Sequence, residues 1–176
     1  MPFVNIYILK GVFKMYPYIN DETKNVFASE DELTPEIPTE RISQLIQQAL
    51  SEEVSAVYLY DTLAKNSKND LCIEQYQSIA NDNRHHIKML KEMYKDLTGI
   101  EPPDNWEDSA EIDIKTVNET VLNEIEAAKF YRDLLAVLED DLLKDRINYI
   151  INNKQNHAIL NTYLLTVCFN ETPKNQ

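Results

Sequence analysis

Two long segments of this chain repeat each other at one fixed offset, and few folds accommodate that. Glu53, Ala56 and Tyr60 recur as Glu124, Ala127 and Tyr131, while Ile79 and His86 recur as Ile150 and His157. The differences 124 − 53 and 157 − 86 are both 71. One register shared by two pairs of segments is far harder to reach by chance than a lone motif, and it implies halves related by a pseudo-twofold axis. Within the halves the apolar residues step by three and four, the period of a core-facing helix stripe. One stripe runs Cys72, Tyr76, Ile79, Asn83, His86, Leu90, Met93 and Leu97; another runs Leu143, Ile147, Ile150, Lys154, His157, Leu164 and Val167. Asn83, His86, Lys154 and His157 therefore point inward, in the middle of otherwise apolar faces. On the two remaining stripes Glu53 and Glu124 interrupt the apolar run in the same way.

Breakers are rare enough to let these stripes run long. The 176 residues include only two glycines, and the prolines gather near the start and at Pro102-Pro103. A chain of this size reads as one domain able to bury a sizeable core, and the long stretches without breakers favour an all-α fold. The expected helices are Thr39–Lys65, with Thr39 as cap, Asp70–Thr98, stopped by Gly99, Lys115–Glu139 and Leu142–Cys168. The polar turn Asn66–Asp70 and an acidic turn near Asp140-Asp141 make two antiparallel hairpins. Residues 99–112 form the one long connection. Fully extended they reach about 45–50 Å, against about 42 Å for a helix of about 28 residues. The connection can therefore run the length of a bundle. Residues 1–38 read as an irregular arm, 39–168 as a four-helix bundle with one long crossover, and 169–176 as a polar tail. Trp106 is expected to anchor the crossover.

Seventeen basic residues against 30 acidic ones, net −13, argue against a nucleic-acid partner, whose phosphates would be repelled. No run approaches the roughly 18 apolar residues of a membrane span. Cys72 and Cys168 make no CxxC pair, so no thiolate zinc or iron site is expected; they read as two free buried thiols in a reducing cytoplasm. The apolar run at the start lacks the basic flank and cleavage site of a signal peptide. Codons for Lys10-Gly11-Val12 can spell a ribosome-binding sequence ahead of Met15, so residues 1–14 are expected to be a start-site extension.

The stripes and their polar interruptions resemble the ferritin-like di-iron carboxylate proteins, and especially the compact rubrerythrin-type domains, over about residues 40–168. The resemblance implies a ferritin-like antiparallel four-helix bundle and an ancestral metal-dependent chemistry with oxygen, peroxide or iron. In that family the first and third helices each give a Glu, and the second and fourth each give Glu-x-x-His. Glu53, Glu124, His86 and His157 match four of the six ligand positions. At the other two, Asn83 and Lys154 stand where the family has its metal-bridging glutamates. Pairing into homodimers is common in the family, although no residue here proves it; the small-molecule substrate is not legible.

The two replacements set how far that chemistry carries over. Two divalent ions about 3.5–4 Å apart repel strongly, and bridging carboxylates offset the repulsion. Asn83 offers a neutral amide oxygen, and protonated Lys154 offers no lone pair and adds positive charge. A dinuclear iron centre is therefore not expected. Two readings stay open. Glu53, His86, Glu124 and His157 form a single site for one iron, manganese or zinc ion, as an active oxidase, peroxidase or iron-binding protein would need. Or the Lys154 ammonium, paired with both glutamates, has replaced the metal and leaves a structural or interaction bundle. The metal-free reading is preferred. Tyr60 and Tyr131, as hydrogen-bonding core tyrosines, and Asp82, as a neighbouring carboxylate, are candidates for supporting positions. His85, Glu52 and Glu126 read as flanking or solvated.

Overall fold

The computed structural model describes residues 38–103 and 117–168. It is all-α among these residues: α1 Thr39–Asn66, α2 Asp70–Thr98, α3 Val117–Ala136 and α4 Asp141–Cys168. The expectations for the N-terminal arm, for Trp106, for most of the crossover and for the polar tail lie outside the described residues. No helix in the described part is long and apolar enough to cross a membrane.

The helix ends follow from local chemistry, with small corrections to the predicted boundaries. Thr39 is not the cap of α1. Pro38 takes that place in an extended conformation without any side-chain cap, and its carbonyl accepts the Arg41 and Ile42 N–H groups. Asn69 caps α2, its Oδ1 accepting from the Leu71 and Cys72 N–H groups. Gly99 ends α2 with φ +76°, the left-handed conformation in which a Cβ is strained. Helix α3 stops at Ala136 rather than Glu139. Val137 and Leu138 donate to Leu134 and Leu135, three residues back, which tightens the last turn. This frees Asp140 to cap α4 by accepting the Leu143 N–H at 2.9 Å.

The helices form two hairpins, α1 with α2 and α3 with α4, and the hairpins meet chiefly where α2 faces α4. Two apolar clusters fill the interior. One, at the α1 N-terminal end, gathers Leu45, Ile46, Leu50, Leu90, Met93, Leu134, Leu138 and Ile147. The other, at the opposite end, gathers Leu59, Tyr60, Leu63, Cys72, Tyr76, Ile79 and Leu164. A polar layer separates them: Glu53, Asn83, His86, Glu124, Lys154 and His157, each at most 3 % exposed.

The cysteines overturn one sequence expectation. Cys72 and Cys168 are not free thiols but a disulfide, S–S 1.95 Å, with their Cα atoms 6.2 Å apart. The first turn of α2 is thus bonded to the last turn of α4, and the argument for a reducing compartment that rested on free thiols falls with it. The sequence separation of 96 makes a long loop, whose closure removes about 4–5 kcal/mol of unfolded-chain entropy.

Leu50, fully buried in the first cluster, lies one turn before Glu53. Leu50→Ala should destabilise the oxidised protein by about 2–5 kcal/mol through lost burial and the cavity left behind, read as a lower urea midpoint at unchanged slope.

Candidate functional site

Each of the six interior positions is delivered by the stripe that carries it, and the bundle brings them to one height. At the centre is the Lys154 ammonium. Its Nζ lies 2.9 Å from Glu53 Oε1 and 3.0 Å from Glu53 Oε2. It donates to Asn83 Oδ1 at 2.9 Å and stands 3.5 Å from Glu124 Oε2. One buried cation from α4 thus faces a carboxylate from α1, another from α3 and an amide oxygen from α2.

The pseudo-twofold axis is visible in the hydrogen bonds themselves. Tyr60 OH donates to Glu124 Oε1 at 2.6 Å, and its equivalent Tyr131 OH donates to Glu53 Oε1 at 2.7 Å. The imidazoles are held just as reciprocally: the Asn153 amide lies 3.0 Å from His86 Nε2, and Asp82 Oδ2 lies 2.9 Å from His157 Nε2. Positions 82 and 153 also differ by 71. Asp82 therefore does not lean in to replace a missing ligand; it grips the outer nitrogen of the histidine on the opposite hairpin. His85 is exposed and sits edge-on to Tyr149.

The halves differ where the second partner of each ring differs. An amide N–H can only donate, so Asn153 makes His86 Nε2 an acceptor and leaves the ring hydrogen on Nδ1 for Glu53. His86 Nδ1 accordingly lies 3.1 Å from Glu53 Oε2. A carboxylate can only accept, so Asp82 holds the hydrogen of His157 on Nε2. On that side Nδ1 and Glu124 Oε2 stand 3.7 Å apart. Among the described residues both atoms lack a hydrogen-bond partner, as do Asn83 Nδ2 and Asn161 Oδ1.

Charge decides the titration of the layer. Burial alone would push the Glu53 carboxyl up, but the Lys154 ammonium and then His86 hold it down at about 2. Burial also acts to raise Glu124, and Lys154 with His157 bring it below the ordinary carboxylate value. For Lys154 burial works downward, and Glu124 and Glu53 override it to raise the ammonium. Burial lowers His86 in spite of Glu53. Tyr60 is raised, first by burial and then by the Glu124 charge.

Two participants escaped the sequence reading. Asn161 Nδ2 donates to Tyr60 OH at 2.7 Å and is buried; it lies one turn beyond His157 on the same stripe, which is the signal that locates it. Asn153 could have been found from Asp82 by adding the repeat offset. No group of three or more His, Cys, Asp or Glu side chains is arranged to hold a metal ion among the described residues.

Comparison with known proteins gives a family and a fold. The family model described as Rubrerythrin matches residues 44–160. The chain belongs to the rubrerythrin family. Among solved structures it is similar to the manganese catalase KatB from Anabaena, at 17% identity and TM-score 0.61, covering 77% of this chain and 76% of that one. It is also similar to a hypothetical protein from Pyrococcus furiosus, at 18% identity and TM-score 0.58, covering 76% and 97%. At those identities the likeness concerns the ferritin-like fold. The search of curated proteins found no match.

Two outcomes follow for this rubrerythrin-family layer. Lys154→Met leaves two buried carboxylates without their cation and should cost about 3–5 kcal/mol. Adding Glu53→Gln and Glu124→Gln to it should recover at least half, measured by urea unfolding. The second outcome concerns pH. His86 is lowered, so its contribution is present above about 6.5 and is lost as pH falls. Glu53, lowered from 4.5 to about 2, adds a further loss of about 3 kcal/mol as pH falls through that interval. Tyr60 and Lys154 are raised, so their contributions are present below about 10 and lost at higher pH. Urea midpoints should be flat between about pH 7 and 10, falling on both sides; in Lys154→Met the acid limb through the Glu53 interval should flatten.

Proposed function

We propose that this chain is a rubrerythrin-family bundle without dinuclear chemistry, in which the Lys154 ammonium takes the role of the metal ions. The observation that carries this reading is the position of Lys154 Nζ, within 3.0 Å of both Glu53 oxygens and 3.5 Å from Glu124. An ammonium there offers positive charge and N–H donors to the carboxylates that metals would otherwise bind. It offers no lone pair to a metal. A dinuclear centre does not fit these residues, since one bridging position is the cation itself and the other, Asn83, spends its oxygen on Lys154. The bundle then works through its folded surface rather than through di-iron oxidase or peroxidase turnover.

A second reading is favoured by one observation. In its neutral form His157 keeps its hydrogen on Asp82 and turns the Nδ1 lone pair toward Glu124 Oε2, two buried atoms without hydrogen-bond partners. A histidine that donates its outer N–H to a carboxylate is the usual arrangement behind a metal ligand. Glu124 and His157 would be the pair to hold a single divalent ion such as iron, manganese or zinc, which would supply Lewis acidity or one-electron chemistry.

Elemental analysis after aerobic and anaerobic iron loading separates the readings. The unmodified protein should retain no iron after desalting, and Asn83→Glu/Lys154→Glu should retain close to two per chain. One iron per chain, abolished by His157→Gln but not by His86→Gln, would replace the first reading with the second. Two irons in the unmodified protein would defeat both.

A further inference from the structure

The disulfide lies where it does more than join two helices. It binds the last turn of α4 to the first turn of α2, where Leu160, Leu165 and Val167 pack only half-buried against the second cluster. Among the described residues beyond His157, only Ala158, Asn161 and Leu164 are buried, while Ile159 and Tyr163 are 71 % and 52 % exposed. Asn161 is the residue that fixes the Tyr60 hydroxyl, and Tyr60 is the hydrogen-bond donor to Glu124. Between the bridge and that hydroxyl, Tyr76 packs one turn below Cys72, its ring stacked on Tyr60 with centroids 6.2 Å apart. The two cysteines differ in burial: Cys72 is fully buried, and Cys168 is half-buried at the helix end.

We propose that the Cys72–Cys168 bridge is a reducible clasp: its redox state sets whether the last two turns of α4 stay docked and whether Asn161 stays on Tyr60. The reductant is a dithiol. One of its thiolates attacks the sulfur of Cys168, the less buried of the two cysteines, a new S–S bond forms there, and the Cys72–Cys168 bond breaks with its electron pair leaving on Cys72, which takes a proton. The second thiol of the dithiol then attacks its own mixed disulfide and releases Cys168 as a thiol. The dithiol is oxidised by two electrons and the bridge is reduced by two. The rest of the bundle keeps its anchors, because the first apolar cluster and the Lys154 network involve neither cysteine.

The test is hydrogen exchange on the whole chain, oxidised and after dithiothreitol, with free thiols counted in parallel. The oxidised protein should show no free thiol and the reduced protein two. After reduction, backbone amides of residues 161–168 should exchange at least tenfold faster than before and at least tenfold faster than those of 84–97, which carry only the loss of global stability, and reoxidation should restore the first values. By NMR the Asn161 side-chain amide, protected when oxidised, should exchange freely when reduced. Cys168→Ser should behave as the reduced form without any reductant. Three results would overturn the clasp: unchanged exchange at 161–168 with both thiols free, a uniform loss of protection across all four helices, or two free thiols in the protein after exposure to oxidised glutathione.

Discussion

Two carboxylates cannot be buried side by side without a cation, and the arrangement of this bundle depends on where that cation comes from. Glu53 and Glu124 are carried by the first and third helices and are almost completely withdrawn from solvent. Their desolvation is offset by one ammonium from the fourth helix and by hydroxyl donors from Tyr131 and Tyr60. Such a group contributes little net stability compared with a well-packed apolar core, yet breaking it is costly because a lone charge remains inside. What the layer supplies is register. Each of its contacts has a direction and a short reach, so a slip of one helix by one turn would strand charges that an apolar stripe would tolerate.

The contacts also divide the work between apolar and polar forces. The helices run closest together within each hairpin, α1 on α2 and α3 on α4, while the first apolar cluster draws on all four. The polar layer adds bonds across the hairpins. Tyr60–Glu124 and Tyr131–Glu53 join α1 to α3; Lys154–Asn83, His157–Asp82 and His86–Asn153 join α4 to α2. The seam between α2 and α4 is closed at three heights. The disulfide ties one end, the imidazole pairs tie the middle, and Arg146 reaches Asp96 at 3.2 Å and Glu92 at 3.9 Å near the other end. The hairpins could each form from local sequence, and this ladder of specific bonds determines how they meet.

Much of this was legible because a helix stripe tolerates an interior polar residue only for a reason. The 71-residue offset marked Glu53, Glu124, His86 and His157, and the same offset relates Tyr60 to Tyr131. Lys154 as the internal cation followed from its place on a buried stripe. Other features left weaker traces. Asn161 and Asn153 are ordinary polar residues until their partners are known, since an asparagine on a helix is far more often solvated than buried. The disulfide was missed because its halves lie 96 positions apart in sequence, and only the antiparallel pairing of α2 with α4 makes the helix ends neighbours. Leu50 and Leu59 are buried beside Glu53 and Tyr60 because a core helix packed between two neighbours buries a wider arc than a single three-four stripe.

The asymmetry between the halves carries the last step. Of the positions that the duplication makes equivalent, two pairs in the layer differ in charge: Asn83 against Lys154, and Asp82 against Asn153. They compensate each other. The lysine sits on Glu53 and satisfies the half whose histidine is turned by Asn153 to donate inward, so that half closes on itself with His86 Nδ1 at 3.1 Å from Glu53. The other half, whose histidine is turned by Asp82, stays open at 3.7 Å. A symmetric layer with a lysine at both positions would balance the two carboxylates but bury a fourth charge, and one with asparagine at both would bury two carboxylates unopposed. A single lysine is the one-residue solution that keeps both carboxylates ionised. A cation built into the chain is also not subject to mass action in the way a bound ion is.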